Sequence, residues 1–234
     1  MPDLASAFVY YIVFLFSTTL HEAGHAWAAA LGGDLTAYHG GQVSLDPRPH
    51  VRREPFGMVI LPIISVLISG WPMGFASAPF DPYWALRHPK RAAWMALAGP
   101  GANFLLVILA GVVMQLGKGL GVFAAPHFIG FSHLVDVPGG GMWEGIGFFL
   151  SVLFSMNVLL GCFNLVPFPP LDGSAAIPLL LTDSGAASYQ RFLLQNGATF
   201  AMVGMLVAWR VFDYLYSPIF HIAINLLHWG HRYG

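Results

Sequence analysis

Residues 5–32 read ASAFVYYIVFLFSTTLHEAGHAWAAALG, a long apolar stretch with one cluster of ionisable side chains in its second half. A helix that crosses the hydrocarbon core of a bilayer needs about 20 mostly apolar residues, so this stretch is long enough. The cluster consists of His21, Glu22 and His25. Burying these groups at membrane depth is costly, which indicates a functional reason for their presence. The alternative, a helix whose polar side chains only bond neighbouring helices, is the weaker interpretation on that ground.

The composition of the chain is typical of a membrane protein. Of its 234 residues 56% are hydrophobic and only 9% are charged, whereas ordinary globular domains carry about 25% charged residues. Further apolar stretches lie at about 56–78, 92–116, 143–166 and 197–217, with a weaker one at 219–229. We therefore predict an all-α multi-pass membrane protein, built as one membrane-embedded domain over residues 1–234. Its core covers about 5–180, and its C-terminal helices cover about 197–229.

The charges and the cysteine content give little information about partners. The net charge is −1 and no basic stripe occurs along the chain, so nothing indicates a nucleic-acid partner. Cys162 is the single cysteine, so no intrachain disulfide can form. No Lys or Arg precedes the first apolar stretch, and we expect that stretch to remain in the mature protein rather than to be cleaved as a signal peptide. The oligomeric state is left open.

The stretch at 56–78 is predicted to be broken or re-entrant. It carries Pro62, Gly70, Pro72 and Gly74, and broken backbone at membrane depth requires protein or water to satisfy it. Basic residues flank it on both sides: Arg48, Arg52, Arg53, Arg87, Lys90 and Arg91. Short basic loops tend to stay cytoplasmic, so both loops are expected on the cytoplasmic side. They can share that side only if the segment between them enters the membrane and returns. The first stretch then runs inward, which places the site at its inner half, toward the cytoplasm.

The pair His21 and His25 predicts a metal site. Residues four apart lie on one face of a helix, so the two imidazoles can hold one Zn²⁺ while Glu22 serves as general base toward water at the metal. Such a site hydrolyses an amide bond. Catalytic zinc takes three protein ligands and keeps one position open, so a third ligand must come from elsewhere in the chain.

Asp172 is the predicted third ligand, chosen by elimination. It follows the sequence Asn164-Leu165-Val166-Pro167-Phe168-Pro169-Pro170-Leu171, whose prolines end the stretch at 143–166 near the same depth as His21. Most other carboxylates fall in predicted loops, where solvation explains them. Asp213 lies on an apolar helix, but an ion pair with Arg210 three residues earlier accounts for it.

The remaining histidines are predicted to have interfacial or hydrogen-bonding roles, since none has the spacing of a second metal site. They are His39, His50, His88, His127, His133, His221, His228 and His231.

A small β-hairpin is predicted at residues 36–45. Gly40 and Gly41 can take the positive φ of a tight turn between two short runs of strand-forming residues. An unwound substrate could add to its edge as a further strand, because a helical substrate hides its carbonyls in its own hydrogen bonds. The alternative, equally supported, is that this hairpin merely covers the end of the first helix.

Three motifs in order make the chain resemble the site-2 protease family of intramembrane zinc metalloproteases. They are His21-Glu22-x-x-His25, the sequence Gly99-Pro100-Gly101-Ala102-Asn103, and Asn164-x-x-Pro167-x-Pro169-Pro170-Leu171-Asp172-Gly173. The resemblance runs from about residue 15 to 180. It is to the compact prokaryotic type, without the length for a PDZ or CBS domain. At 74–80 the chain reads GFASAPF, where compact members commonly carry a lysine. A substrate contact that the family makes through this loop is therefore not carried over to this chain.

The resemblance implies a catalytic core of three helices, those starting near residues 5, 92 and 143. It implies one Zn²⁺ per chain held by His21, His25 and Asp172, with Glu22 as the base. The implied substrate is a transmembrane or membrane-associated peptide, cleaved within or near its apolar segment in the cell membrane, as in regulated intramembrane proteolysis.

Three asparagines are candidates for contacts with substrate or with the developing oxyanion: Asn103, Asn157 and Asn164. Each could instead join helices, as polar side chains often do in bilayers. Two other functions are compatible with the motifs, namely a zinc-binding membrane transporter and an inactive pseudoprotease. Transport would call for several ligand pairs along a path, and only one cluster is visible.

Overall fold

The computed structural model describes residues 3–230 and 232–233. Two predictions lie outside these residues and their described side chains: the interfacial role of His231 and the pairing of the Asp213 side chain with Arg210. Nine α-helices are assigned in the described part: α1 (Leu4–Gly32), α2 (Thr36–His39), α3 (Pro47–Arg53), α4 (Leu61–Ser69), α5 (Pro82–Arg87), α6 (Pro89–Gly119), α7 (Met142–Asn164), α8 (Asp172–Ala176) and α9 (Asp183–Leu227).

Three of these helices, α1, α6 and α7, are long and apolar enough to cross a membrane. They coincide with the predicted stretches at 5–32, 92–116 and 143–166. The first part of α9 is a fourth candidate, bent by 94° between residues 183–197 and 199–212. The chain is therefore a mostly helical membrane protein, as predicted.

The three long helices pack against one another, with α6 in contact with both α1 and α7. Glycine permits a close approach between α1 and α6. A Cβ atom on Gly24 would lie 2.8 Å from the carbonyl oxygen of Ala98, closer than side chains approach backbone in real structures. Further along α6, Leu106 and Met114 pack with Met156 of α7 in the main apolar core.

The segment after α3 is broken, as its prolines and glycines predicted. A π-helical turn (Phe56–Ile60) leads into α4, and together they form an apolar helix of only 14 residues. At 1.5 Å per residue this reaches about 21 Å, less than the roughly 30 Å of a bilayer core. Gly70 ends α4 in the left-handed conformation with φ 76°. The chain then runs on without helix or strand through residues 72–80, which we name the return segment.

Hydrogen bonds join the return segment to the start of the same broken unit. The amide of Phe75 donates to the carbonyl of Gly57 at 3.1 Å, and the hydroxyl of Ser77 donates to Glu54 Oε1 at 2.7 Å. The guanidinium of Arg53 also donates to the Ser77 carbonyl, at 3.1 Å. Both ends of the unit therefore lie on the same side of the molecule, which is the geometry of a segment that enters and returns.

The predicted β-hairpin at residues 36–45 is wrong. The described residues contain two isolated β-bridges but no strand, and this region instead forms the short helix α2. Gly41 does take a positive φ, 74°, but it ends a helix: its amide donates to Tyr38 and the next amide, of Gln42, donates to Ala37. This is the Schellman arrangement of a helix end, which uses the same left-handed glycine that a hairpin turn uses.

Asp34 fixes the connection between α1 and α2. Its Oδ1 accepts from the amide and the hydroxyl of Thr36 at 2.9 and 2.6 Å, and its Oδ2 accepts from the amide of Asp81 at 2.7 Å. Burial of the carboxyl opposes ionisation, but these hydrogen bonds outweigh it and lower the pKa of Asp34. One carboxylate thus ties the end of α1 to the start of α2 and to the residue that follows the return segment.

Candidate metal centre

Two imidazoles on consecutive turns of α1 face each other. The Nε2 atoms of His21 and His25 are 3.0 Å apart, and both side chains are buried. The helix continues without a break through both residues, so their relative position follows from the four-residue spacing.

The other ring nitrogen of each histidine is held by α6. His21 Nδ1 lies 2.6 Å from the side-chain oxygen of Asn103, and His25 Nδ1 lies 2.8 Å from the carbonyl oxygen of Met95. A carbonyl can only accept, and Asn103 uses its amide nitrogen to donate to Asn157 at 2.8 Å. Both Nδ1 atoms are therefore the protonated ones. It follows that both Nε2 atoms present lone pairs.

Asp172 brings a third acceptor to the same point. It is the first residue of α8, and its Oδ2 lies 3.0 Å from His21 Nε2 and 3.2 Å from His25 Nε2. That oxygen has no hydrogen-bond donor among the described residues. Three acceptors that meet at about 3 Å without a proton between them repel one another unless a cation lies among them. Two imidazole nitrogens and one carboxylate oxygen form a donor set that suits Zn²⁺.

Gly99 leaves room at this point. A Cβ atom on Gly99 would lie 2.3 Å from His25 Nε2 and 2.6 Å from His21 Nε2, well inside any real contact. The backbone of α6 therefore forms a wall beside the two lone pairs that only glycine allows. The donor set and the space beside it fit a bound metal ion.

Glu22 lies beside the three acceptors. Its side chain is buried, Oε2 has no hydrogen-bond partner among the described residues, and His21, Glu22 and His25 each offer a ligand atom within 4.8 Å of the others. Outside this cluster of His21, Glu22, His25 and Asp172, the part of the chain that the structure describes has no group of three His, Cys, Asp or Glu side chains arranged to hold a metal ion.

A cavity of about 570 Å³ opens onto these residues. The return segment, α6, α7, α8 and α9 contribute to its lining together with α1, and most of the lining side chains are apolar. Outside the metal cluster they include Phe14, Phe75, Phe80, Met95, Leu160, Phe163, Leu171 and Met205. The cavity is large enough for several residues of an apolar peptide next to Glu22.

The three predicted asparagines have different surroundings. Asn103 and Asn157 are fully buried in one chain of hydrogen bonds that runs from His21 through both of them to the hydroxyl of Ser17. Asn164 lines the cavity and donates to the carbonyl of Leu160 one turn earlier. Only Asn164 is placed where it could contact a ligand. The contacts of Asn103 indicate a role in orienting His21, which sequence reasoning missed because the partner lies on another helix.

A comparison with protein families identifies the chain. Residues 9–206 match the family model described as "Peptidase family M50". The chain belongs to this peptidase family. The match covers most of the chain and confirms the resemblance to site-2 proteases drawn from the three motifs.

Two curated relatives carry zinc metalloprotease names. "Putative zinc metalloprotease YwhC" of Bacillus subtilis (strain 168) is 30% identical over 163 residues, which cover 69% of this chain and 64% of the relative. "Putative zinc metalloprotease Rip2" of Mycobacterium tuberculosis (strain ATCC 25618 / H37Rv) is 29% identical over 211 residues, which cover 88% of this chain and 70% of the relative. The chain thus spans about two thirds of the length of these proteins. No solved structure gives a significant match.

The family and the zinc metalloprotease names of both relatives agree with the predicted Zn²⁺ cofactor. The donor set found at His21, His25 and Asp172 agrees with it.

Proposed function

We propose that this chain is an intramembrane zinc metalloprotease that hydrolyses peptide bonds within or near transmembrane segments of other proteins. One observation carries the proposal. The side chains of His21, His25 and Asp172 converge at about 3 Å, beside Glu22 and an apolar cavity, between helices long enough to cross a bilayer. A soluble protease does not require a metal site between helices that are long enough to cross a bilayer.

In this proposal His21, His25 and Asp172 hold the metal, and Asn103 and the Met95 carbonyl orient the two imidazoles. Bound there, Zn²⁺ supplies the Lewis acidity that polarises a carbonyl and makes water more acidic. Orienting partners of this kind fix the tautomer and direction of each ligating histidine. Both Nδ1 hydrogens are held by α6, so both Nε2 lone pairs stay available to the metal.

Glu22 acts as general base and then as general acid. Its carboxylate takes a proton from the attacking water, whose oxygen bonds to the carbonyl carbon of the substrate. The carbon–nitrogen bond then breaks, and Glu22 returns the proton to the leaving amine. The burial of Glu22 and its unpaired Oε2 support this assignment, because a carboxylate engaged in a strong hydrogen bond would be a weaker base.

The substrate lies in the cavity as an unwound segment, in contact with the return segment. Ala76 and Ala78 line the cavity, and within the described residues their backbone amides make no hydrogen bond to protein. A peptide that pairs with this backbone would present its carbonyls toward the metal cluster. Asn164 is retained as a further candidate contact, since it also lines the cavity.

The same arrangement supports a cytoplasmic position for the site. Both basic loops flank a unit whose two ends meet, which supports placing them together on the cytoplasmic side of the cell membrane. We therefore place the active site toward the cytoplasm and propose regulated intramembrane proteolysis of single-span proteins as its use.

The Glu22→Gln substitution tests the proposal. The variant should keep one zinc per chain, because three other side chains form the donor set, and should lose cleavage of a single-span model substrate by at least about 100-fold. Glu144→Gln, which changes an exposed glutamate at the start of α7, is the matched control and should cleave normally.

Robust cleavage by Glu22→Gln would remove that residue from the chemistry. Zinc binding by the wild-type chain without any cleavage would instead support a pseudoprotease. Zinc flux into proteoliposomes, again without cleavage, would support a transporter.

A further inference from the structure

Outside the metal cluster, one buried amide oxygen in the cavity wall has no hydrogen-bond partner within the described residues. Gln190, on α9, is 6% exposed and lines the cavity, and its Oε1 atom accepts no hydrogen bond within the described residues. A buried amide oxygen without a donor costs free energy, so such groups in folded proteins call for an explanation.

Two other polar side chains of the lining are already engaged. The Ser77 hydroxyl donates to Glu54, and the Asn164 amide donates to Leu160. Much of the remaining wall consists of Phe, Leu and Met side chains, which offer nothing to an amide. The Gln190 carboxamide is therefore the uncommitted amide of an otherwise largely apolar surface.

The position of Gln190 is set by the start of α9. Thr182 caps this helix, and Asp183 forms an ion pair with Lys90 of α6 at 2.7 Å. Ala186, one turn before Gln190 and on the same helix face, is fully buried. The rotation of α9 is thus held by packing and by charge, which directs Gln190 inward.

We propose that Gln190 is a substrate-positioning residue that binds one backbone peptide group of the segment in the cavity. Its carbonyl oxygen accepts from a substrate N–H. A carboxamide carries the same donor and acceptor as a peptide unit, so it can hold a peptide without reading its side chains. A substrate N–H is free for this contact only where the substrate helix has unwound, because an intact helix uses each N–H internally. This inference rests on the proposed function.

The test measures binding separately from cleavage. A labelled synthetic peptide of about 20 apolar residues, long enough to span a bilayer, is titrated onto the zinc-loaded Glu22→Gln protein in detergent. The same titration is made with Gln190→Leu added, which keeps the size of the side chain and removes its polar atoms. We expect the Leu variant to bind the peptide about tenfold more weakly, the scale of one lost hydrogen bond.

A matched control and a stability measurement separate positioning from folding. Gln195→Leu makes the same change at an exposed position of α9 and should bind as tightly as the parent. In thermal unfolding Gln190→Leu should be at least as stable as the parent, since it removes a buried unpaired group. A purely structural role for Gln190 would give lower stability with unchanged affinity, and that result would overturn the proposal.

Backbone esters in the peptide identify the bond itself. Replacing single peptide N–H groups by ester oxygens along the peptide should weaken binding to the parent at one position in particular. At that position the ester should have no further effect on Gln190→Leu, since the two changes remove the same contact. Additive losses at every position would refute the contact. These readouts do not require turnover, whereas absence of cleavage by the wild-type chain would instead count against the proposed function.

Discussion

Gly99→Ala is the sharpest perturbation of the metal centre, because it adds one methyl group where the two histidines meet. The added Cβ would lie 2.3 Å from His25 Nε2 and 2.6 Å from His21 Nε2. To restore ordinary contact at 3.4 Å, the nearer nitrogen must move by about 1.1 Å, several times the tolerance of about 0.2 Å in metal–ligand distances.

The imidazoles cannot move that far without losing their own partners. His21 is held by Asn103 at 2.6 Å and His25 by the Met95 carbonyl at 2.8 Å. Loss of one orienting partner typically costs 10–100-fold in metal affinity or activity. We therefore expect Gly99→Ala to bind zinc at least about 100-fold more weakly and to lose cleavage in parallel.

The assay is competitive zinc titration of the purified protein, with metal content measured by mass spectrometry. Gly101→Ala is the control. It lies two residues further along α6, and a Cβ there would have no neighbour within 4 Å. Alanine is favoured over glycine in helices by about 1 kcal/mol, so the control should be at least as stable as wild type. If Gly99→Ala kept one zinc with unchanged affinity, the geometry proposed for the centre would be refuted.

Three further predictions concern the residues around the centre and the end of α1. Asp172→Ala should lower zinc occupancy measured after dialysis, because it removes one of three donors, and full occupancy would show that another ligand completes the site. Asn103→Leu should keep the fold but weaken zinc binding by about 10–100-fold in the same titration, since His21 loses its orienting acceptor; an unchanged affinity would contradict this role. Asp34→Asn should lower the thermal unfolding temperature at neutral pH. The pKa of Asp34 is lowered in the folded protein, so its stabilisation is present above the unfolded value of about 4 and is lost as pH falls through the folded value. The difference between wild type and variant should therefore close below about pH 4, and a difference independent of pH would exclude the carboxylate as its source.

The parts of the centre that depend on local spacing could be predicted from the sequence. His21 and His25 lie on one helix face because four residues make about one turn, and this required no knowledge of the rest of the fold. Asp172 was predicted from a different kind of argument, in which helix length and proline breaks set its depth. In the structure its Oδ2 lies 3.0 Å from His21 Nε2.

The parts that depend on contacts between helices could not be predicted. Gly99 was visible as a motif residue, but nothing in the sequence indicates that its missing side chain makes room for the metal. The contact of Asn103 with His21, and the Gln190 amide oxygen that is unpaired within the described residues, likewise depend on how α6 and α9 rotate against α1. The hairpin prediction failed for a local reason, since a left-handed glycine such as Gly41 serves helix ends and strand turns equally well.

Gly24, between the two histidines, limits which residues this turn of α1 can accept. The same turn of α1 places the metal donors beside Gly99 and Gly24 against Ala98, so a larger residue at position 24 would push α6 outward and take Gly99 and Asn103 with it. The middle of the motif is thus not a spacer that can vary freely. A larger residue at position 24 would require a compensating substitution on α6. Paired substitutions at these positions should therefore be tolerated where single ones are not.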